Sequence, residues 1–151
     1  MFNAFKFAKS AGSKLLDKKQ GKDALTEQAK KYGYDTKGMD YDIDDDGAVV
    51  VRGKAASQEM KERVLLAFGN VAGISMVKDE VEAEDGGAVS TFHEVVSGDT
   101  LGKISKKYYG KSSLYMKIFD ANKPMLKNPD KIYVGQMLRI PTDEKTPTAS
   151  V

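Results

Sequence analysis

Apolar and polar positions alternate at the centre of the first half of the chain. Met39, Tyr41 and Ile43 face one way and Asp40, Asp42 and Asp44 the other. This is the period-two pattern of a half-buried strand. Asp46-Gly47 supplies a hairpin turn, and Val49 and Val51 carry the apolar face onto a return strand. Upstream, Asp23 precedes a helix predicted to run to about Tyr32 and to stop at Gly33. Downstream, Ser57 caps a helix that buries Met60, Val64, Ala67 and Phe68. A strand from about Ile74 to Val81 follows, with Met76 or Val77 marking its inward face. The predicted order is αββαβ.

The second half carries a different pattern. Phe92 to Val96 reads as a strand. Asp99 is placed to cap a helix whose apolar face is Leu101, Ile104 and Tyr108. Ser113 is placed to cap a second helix with Leu114, Ile118 and Ala121 turned inward, and Pro124 lies beyond its end. Leu138 and Ile140 alternate with Met137 and Arg139 in a closing strand, which gives βααβ. Between the halves, residues 84–91 form a short Gly-rich polar break. The fold class expected is α+β, in two small domains.

Composition narrows the function. The 151 residues hold 24 basic and 22 acidic side chains, a formal charge of +2, interleaved apart from a lysine-rich first twenty. That balance makes no electrostatic case for nucleic acid. Cys is absent, which removes disulfides and thiolate metal sites. In Met1 to Gly12, Lys6 and Lys9 interrupt the apolar run that a secretory signal needs, and no stretch approaches the length of a membrane span. The expectation is a soluble, cytoplasmic, monomeric protein with neither membrane nor nucleic acid as a partner.

The second half resembles a LysM module. The resemblance rests on Val95-Val96-Ser97-Gly98-Asp99-Thr100-Leu101, on Tyr108-Tyr109-Gly110, on Ala121-Asn122-Lys123-Pro124, and on Ile132-Tyr133-Val134-Gly135-Gln136-Met137-Leu138-Arg139-Ile140-Pro141. The first half, with Val49-Val50-Val51-Arg52-Gly53 leading into a helix and Gly69-Asn70-Val71-Ala72-Gly73-Ile74 leading out, resembles a BON domain. Together, and with the Phe-rich start of the chain, they resemble the bacterial potassium-binding BON–LysM family. The implied organisation is an amphipathic segment over 1–22 packing on a BON domain at 23–83, a linker at 84–91, a LysM domain at 92–141 and a disordered tail at 142–151.

Four candidate sites compete. Asp42, Asp44, Asp46 and Gly47 imitate the opening of an EF-hand loop, but Gly53 stands where its bidentate Glu belongs, and the strand alternation fits a solvated hairpin. No calcium site is expected. Gly69 to Ile74 is the better candidate, because carbonyls at a helix end lack intrahelical partners and lie at the negative end of the macrodipole. Gathered toward one point they would form a neutral oxygen cage, suited to a large monovalent cation. The plainer reading is that Gly69 and Gly73 are only a helix stop and a turn. Ala11-Gly12 offers a similar break near the start of the chain. The family resemblance implies that the two meet, with potassium held by main-chain carbonyls of Ala8, Ala11, Gly69, Val71 and Ile74.

The third candidate is the groove that sugar-binding LysM modules form between two loops, here Gly98 to Leu101 and Met125 to Ile132. The fourth is His93, a lone histidine read as a partly exposed structural residue. One histidine and no cysteine exclude His-based metal clusters, and Ser–His or Cys–His catalysis that needs a second histidine. Tyr108, Tyr109, Tyr115 and Phe119 fall at helical spacings expected of core. The functional expectation is a potassium-binding protein, not an enzyme, that changes conformation with its ion. The alternative is a peptidoglycan-binding module acting through LysM, and a third reading is an adaptor for an unknown protein partner.

Overall fold

The computed structural model describes residues 3–6, 18–71, 73–74, 76–85 and 89–141. It is α+β and divides into two compact units, Met1–Gly87 and Ala88–Val151.

The first unit contains β1 (Asn3–Lys6), α1 (Lys18–Tyr32), β2 (Met39–Ile43), β3 (Val49–Ala55), α2 (Gln58–Gly69) and β4 (Met76–Ala83). Its sheet has the order β1-β4-β3-β2. β2 and β3 form the expected hairpin, with Tyr41 opposite Val51 and Ile43 opposite Val49. β3 and β4 run parallel, joined by α2 as the crossover that parallel pairing requires. Val49, Val51, Val64, Phe68 and Val77 are fully enclosed, so Val77 rather than Met76 is the inward position.

Two elements depart from the αββαβ expectation. β1 adds an edge strand antiparallel to β4, where the sequence pattern suggested only an amphipathic segment. α1 starts at Lys18, ahead of Asp23, and it ends as expected at Tyr32, with Gly33 left-handed at φ 70°. Four residues carry too little periodicity to signal a strand; β1 exists because β4 offers an open edge.

α1 and β2 are joined by the Thr26 hydroxyl, 2.9 Å from that of Tyr41, whose ring leans on Phe68 at 4.7 Å. Ser57 caps α2 as expected, accepting from the Met60 amide. Beneath α2, Lys61 Nζ reaches Asp79 at 3.0 Å and the Val81 carbonyl at 2.8 Å, and Asp79 is only 4 % exposed.

The second unit follows the predicted βααβ order. It comprises β5 (Thr91–Glu94), α3 (Leu101–Tyr109), a 3-10 turn at Ser112–Leu114, α4 (Tyr115–Ala121) and β6 (Met137–Ile140). β5 and β6 pair antiparallel. Val95, Leu101, Ile104, Ile118, Leu126, Leu138 and Ile140 form one core, with Tyr108 and Tyr109 packed against it.

Here the expectations fail in four places. Thr100, not Asp99, caps α3, accepting from the Lys103 amide. Ser113 caps nothing, because the 3-10 turn runs straight into α4. Leu114 and Tyr115 are exposed instead of inward. Met137 and Arg139 are buried along with Leu138 and Ile140, so β6 has no solvent face.

Candidate functional site

The last turn of α2 begins the candidate ion site. A helix end leaves carbonyls without intrahelical donors, and here most of the last ones find partners close by. The Asn70 amide bonds the Leu66 carbonyl at 3.0 Å, and the Val71 amide bonds that of Phe68 at 3.2 Å. Gln28 reaches across from α1, placing Nε2 3.2 Å from the Ala67 carbonyl. This last contact was not legible locally, because Gln28 lies 39 positions away in the chain.

Beyond α2 the chain turns, with Asn70, Val71 and Gly73 in turn or bend conformations. Gly69 is buried and still helical, so its backbone angles do not call for glycine. Those of Gly73 do: its φ of 91° lies in the left-handed region where a side chain is strained. The turn is closed by the Ile74 amide on the Val71 carbonyl at 3.1 Å. A carbonyl oxygen has a second lone pair, so that bond does not prevent Val71 from meeting a cation. Val71 and Ile74 thus lie just beyond Gly69, the last helical residue, with Gly69 and Ile74 buried and Val71 half-buried. The donors this loop offers are uncharged peptide oxygens, which fits potassium better than calcium or magnesium. Ala8 and Ala11, the other two carbonyls of the expected set, lie outside the described residues.

The Asp-rich hairpin is organised by its own contacts. Asp44 Oδ1 accepts from the amides of Asp46 and Ala48, while Oδ2 takes the Lys78 ammonium at 2.7 Å. The Lys78 bond holds the Asp44 carboxyl below its ordinary range, aided by the two amides against the opposing pull of burial. Asp45 pairs with Lys18 at 2.6 Å.

In the second unit, His93 is buried rather than partly exposed. Its Nδ1 lies 2.8 Å from the Tyr108 hydroxyl and its Nε2 2.8 Å from Asp99 Oδ2. Asp99 also accepts from the Val96 amide at 2.9 Å. Burial works upward on the Asp99 carboxyl, but the Val96 amide and His93 outweigh it, and its pKa is lowered. The Val96–Asp99 loop, expected to form one side of a LysM-type groove, is therefore pinned to β5 and α3. In the other loop of that expectation, Leu126 is buried and its amide bonds the Asn122 carbonyl at 2.9 Å.

The chain is thus a two-unit α+β protein with a glycine-turned carbonyl loop in one half and a hydrogen-bonded βααβ module in the other. Residues 93–141 match the model of the LysM domain family. Over 147 residues the chain is 47% identical to "Potassium binding protein Kbp" of Escherichia coli O6:H1, covering 92% of this chain and 98% of that one. It is 31% identical over 105 residues to a protein of Deinococcus radiodurans with no stated function, covering 62% of this chain and 41% of that one. The chain belongs to the family of the potassium binding protein Kbp, and residues 93–141 are its LysM domain.

Proposed function

We propose that this protein is a cytoplasmic, monomeric, non-enzymatic potassium-binding protein that changes conformation when the ion binds. Potassium would be held by main-chain carbonyls of Gly69, Val71 and Ile74, completed by Ala8 and Ala11 from the start of the chain. The first unit is read as a BON domain, on the resemblance of its helix-entry and helix-exit segments. The observation that carries the proposal is the loop after α2. The last-turn carbonyls of Leu66, Ala67 and Phe68 are already engaged, and the chain turns at Gly73 so that uncharged oxygens follow. A relative of nearly equal length, named for potassium binding, supports the same reading. Bound potassium stabilises the conformation that gathers these oxygens, by mass action on the ensemble.

The test is an NMR titration of protein purified in sodium buffer. Added KCl is expected to move the amide signals of residues 69–74 saturably, and equal NaCl to leave them in place. Linear, ion-independent drift of the same signals would contradict the proposal.

The LysM match supports a second reading, binding of an N-acetylglucosamine polymer between the loops at Gly98–Leu101 and Met125–Ile132. Retention of the protein on purified sacculi, independent of potassium, would favour it.

A further inference from the structure

The interleaving of charge along the chain conceals a division between the two units. Over residues 1–87, fourteen basic side chains stand against sixteen acidic, a net of −2. Over residues 88–151, ten basic stand against six acidic, a net of +4 with His93 neutral. Within residues 89–141 all eight lysines are exposed, and the one arginine, Arg139, is buried. Exposed large apolar side chains divide the same way: among the residues whose side chains are described, 18–71, 73–74, 76–85 and 89–141, every one belongs to the second unit.

The most exposed of the apolar side chains within the matched LysM region sit together. Val96 is 52% exposed, Tyr133 66% and Val134 70%. They occupy the tips of two loops that are stitched side by side, the Gly135 amide bonding the Val95 carbonyl and the Val95 amide that of Gln136, both at 2.8 Å. Asp99, bonded to the Val96 amide and to His93, holds the first tip in place. Lysines rim the pair. Lys103 Nζ lies 3.2 Å from the Gly98 carbonyl, Lys107 is close enough to Asp99 to lower its pKa, and Lys131 precedes the second tip.

We propose that this apolar-tipped, cationic face binds the surface of a bilayer containing anionic lipid. A tyrosine and two valines at the ends of rigid loops suit the headgroup boundary, where an apolar body and a polar tip are both accommodated. Lysines spread over a whole unit answer a diffuse negative potential, each adding roughly a five-fold gain in affinity near such a surface. A folded acidic partner would instead require a shape-matched core of larger area than three side chains supply. Arginine, the residue that reads phosphate in bidentate fashion, is absent from the exposed surface of this unit among the described residues. Among the described residues no helix is long and apolar enough to cross a membrane, so the contact is peripheral.

Sedimentation of the full chain with phosphatidylcholine vesicles, with and without phosphatidylglycerol, tests this in sodium buffer. The protein is expected in the pellet only with the anionic vesicles, and raised NaCl is expected to release it. Tyr133→Ser with Val134→Ser is expected to weaken partitioning about ten-fold through lost apolar contact. Lys107→Glu with Lys131→Glu is expected to weaken it by at least about ten-fold. The two pairs act independently, so one remains informative if the other perturbs folding as judged by its melting curve. Equal binding to both vesicle types, binding to neither, or variants that bind like the parent would overturn the proposal. So would retention on sacculi without vesicle binding, which would assign the face to glycan.

Discussion

Asn122 and Arg139 clasp one another as two strand residues would. Asn122 Nδ2 donates to the Arg139 carbonyl at 2.9 Å, and the Arg139 amide donates to Asn122 Oδ1 at 2.9 Å. The same Asn122 amide group reaches the Ile118 carbonyl at 2.8 Å, while Arg139 Nη1 reaches that of Ala121 at 3.0 Å. One side chain at the end of α4 therefore takes the place of a third strand beside β6. Asn122→Ala would leave buried backbone groups of Arg139 unsatisfied, each costing about 1–3 kcal/mol. The second unit is expected to lose about 2–4 kcal/mol of stability. Amide hydrogen exchange would locate the loss: faster exchange confined to residues 91–141 is the expected result, with β3 and β4 unchanged.

Lys61 and Asp79 make the corresponding prediction for the first unit. Both side chains are largely buried and 3.0 Å apart, so removing the ammonium strands a carboxylate that is 4 % exposed. Lys61→Met is expected to destabilise the first unit by about 3–5 kcal/mol, measured by denaturant unfolding. The double variant Lys61→Met with Asp79→Leu is expected to recover most of that loss, since no charge is left behind. A double variant as unstable as the single would show that packing, not the stranded charge, governs the site.

How far the sequence reveals this molecule follows from where each partner lies. The β2–β3 hairpin, the Gly33 stop and the Ser57 cap are readable because their causes are local: alternation, a left-handed glycine, a hydroxyl three residues from its amide. His93 and Arg139 were misread because polar residues default to the surface unless a partner is supplied from afar. Their partners, Tyr108 and Ala121, come from helices that the fold brings back. Asp99 has the side chain of a cap yet serves His93, leaving Thr100 to do the capping. At the candidate ion site the Gly-Asn-x-x-Gly-Ile pattern marks the loop, but the left-handed glycine is Gly73 and not Gly69.

That distinction sets a third prediction. Gly73→Val forces a β-branched residue into a left-handed conformation, at a cost of roughly 1–2 kcal/mol or more. It is expected to abolish potassium-dependent stabilisation, whereas Gly73→Asn, which tolerates that region better, is expected to retain part of it. Thermal melts of both variants in KCl and NaCl would read the difference. Full potassium response in Gly73→Val would detach ion binding from the geometry of this loop.

Two carboxyls predict the response to acid. Asp44, bonded by Lys78, and Asp99, where burial is outweighed by the Val96 amide and His93, both have lowered pKa values in the folded chain. A lowered folded value means that the ionised form favours folding. The contribution is complete above the unfolded value of about 3.9 and is lost as pH falls through the folded value. Stability is therefore expected to drop below about pH 4, with Asp44→Asn and Asp99→Asn each flattening part of the drop. An unchanged acid profile in the double variant would assign acid sensitivity to other groups.

Thermal melting of protein purified in sodium buffer tests ion binding most directly. At potassium a hundred-fold above the dissociation constant, a ligand that binds only the folded state adds about 2.7 kcal/mol. For units of this size that raises Tm by roughly 10 °C or more in KCl over equimolar NaCl. Superimposable melts in the two salts would contradict a carbonyl cage for potassium after α2.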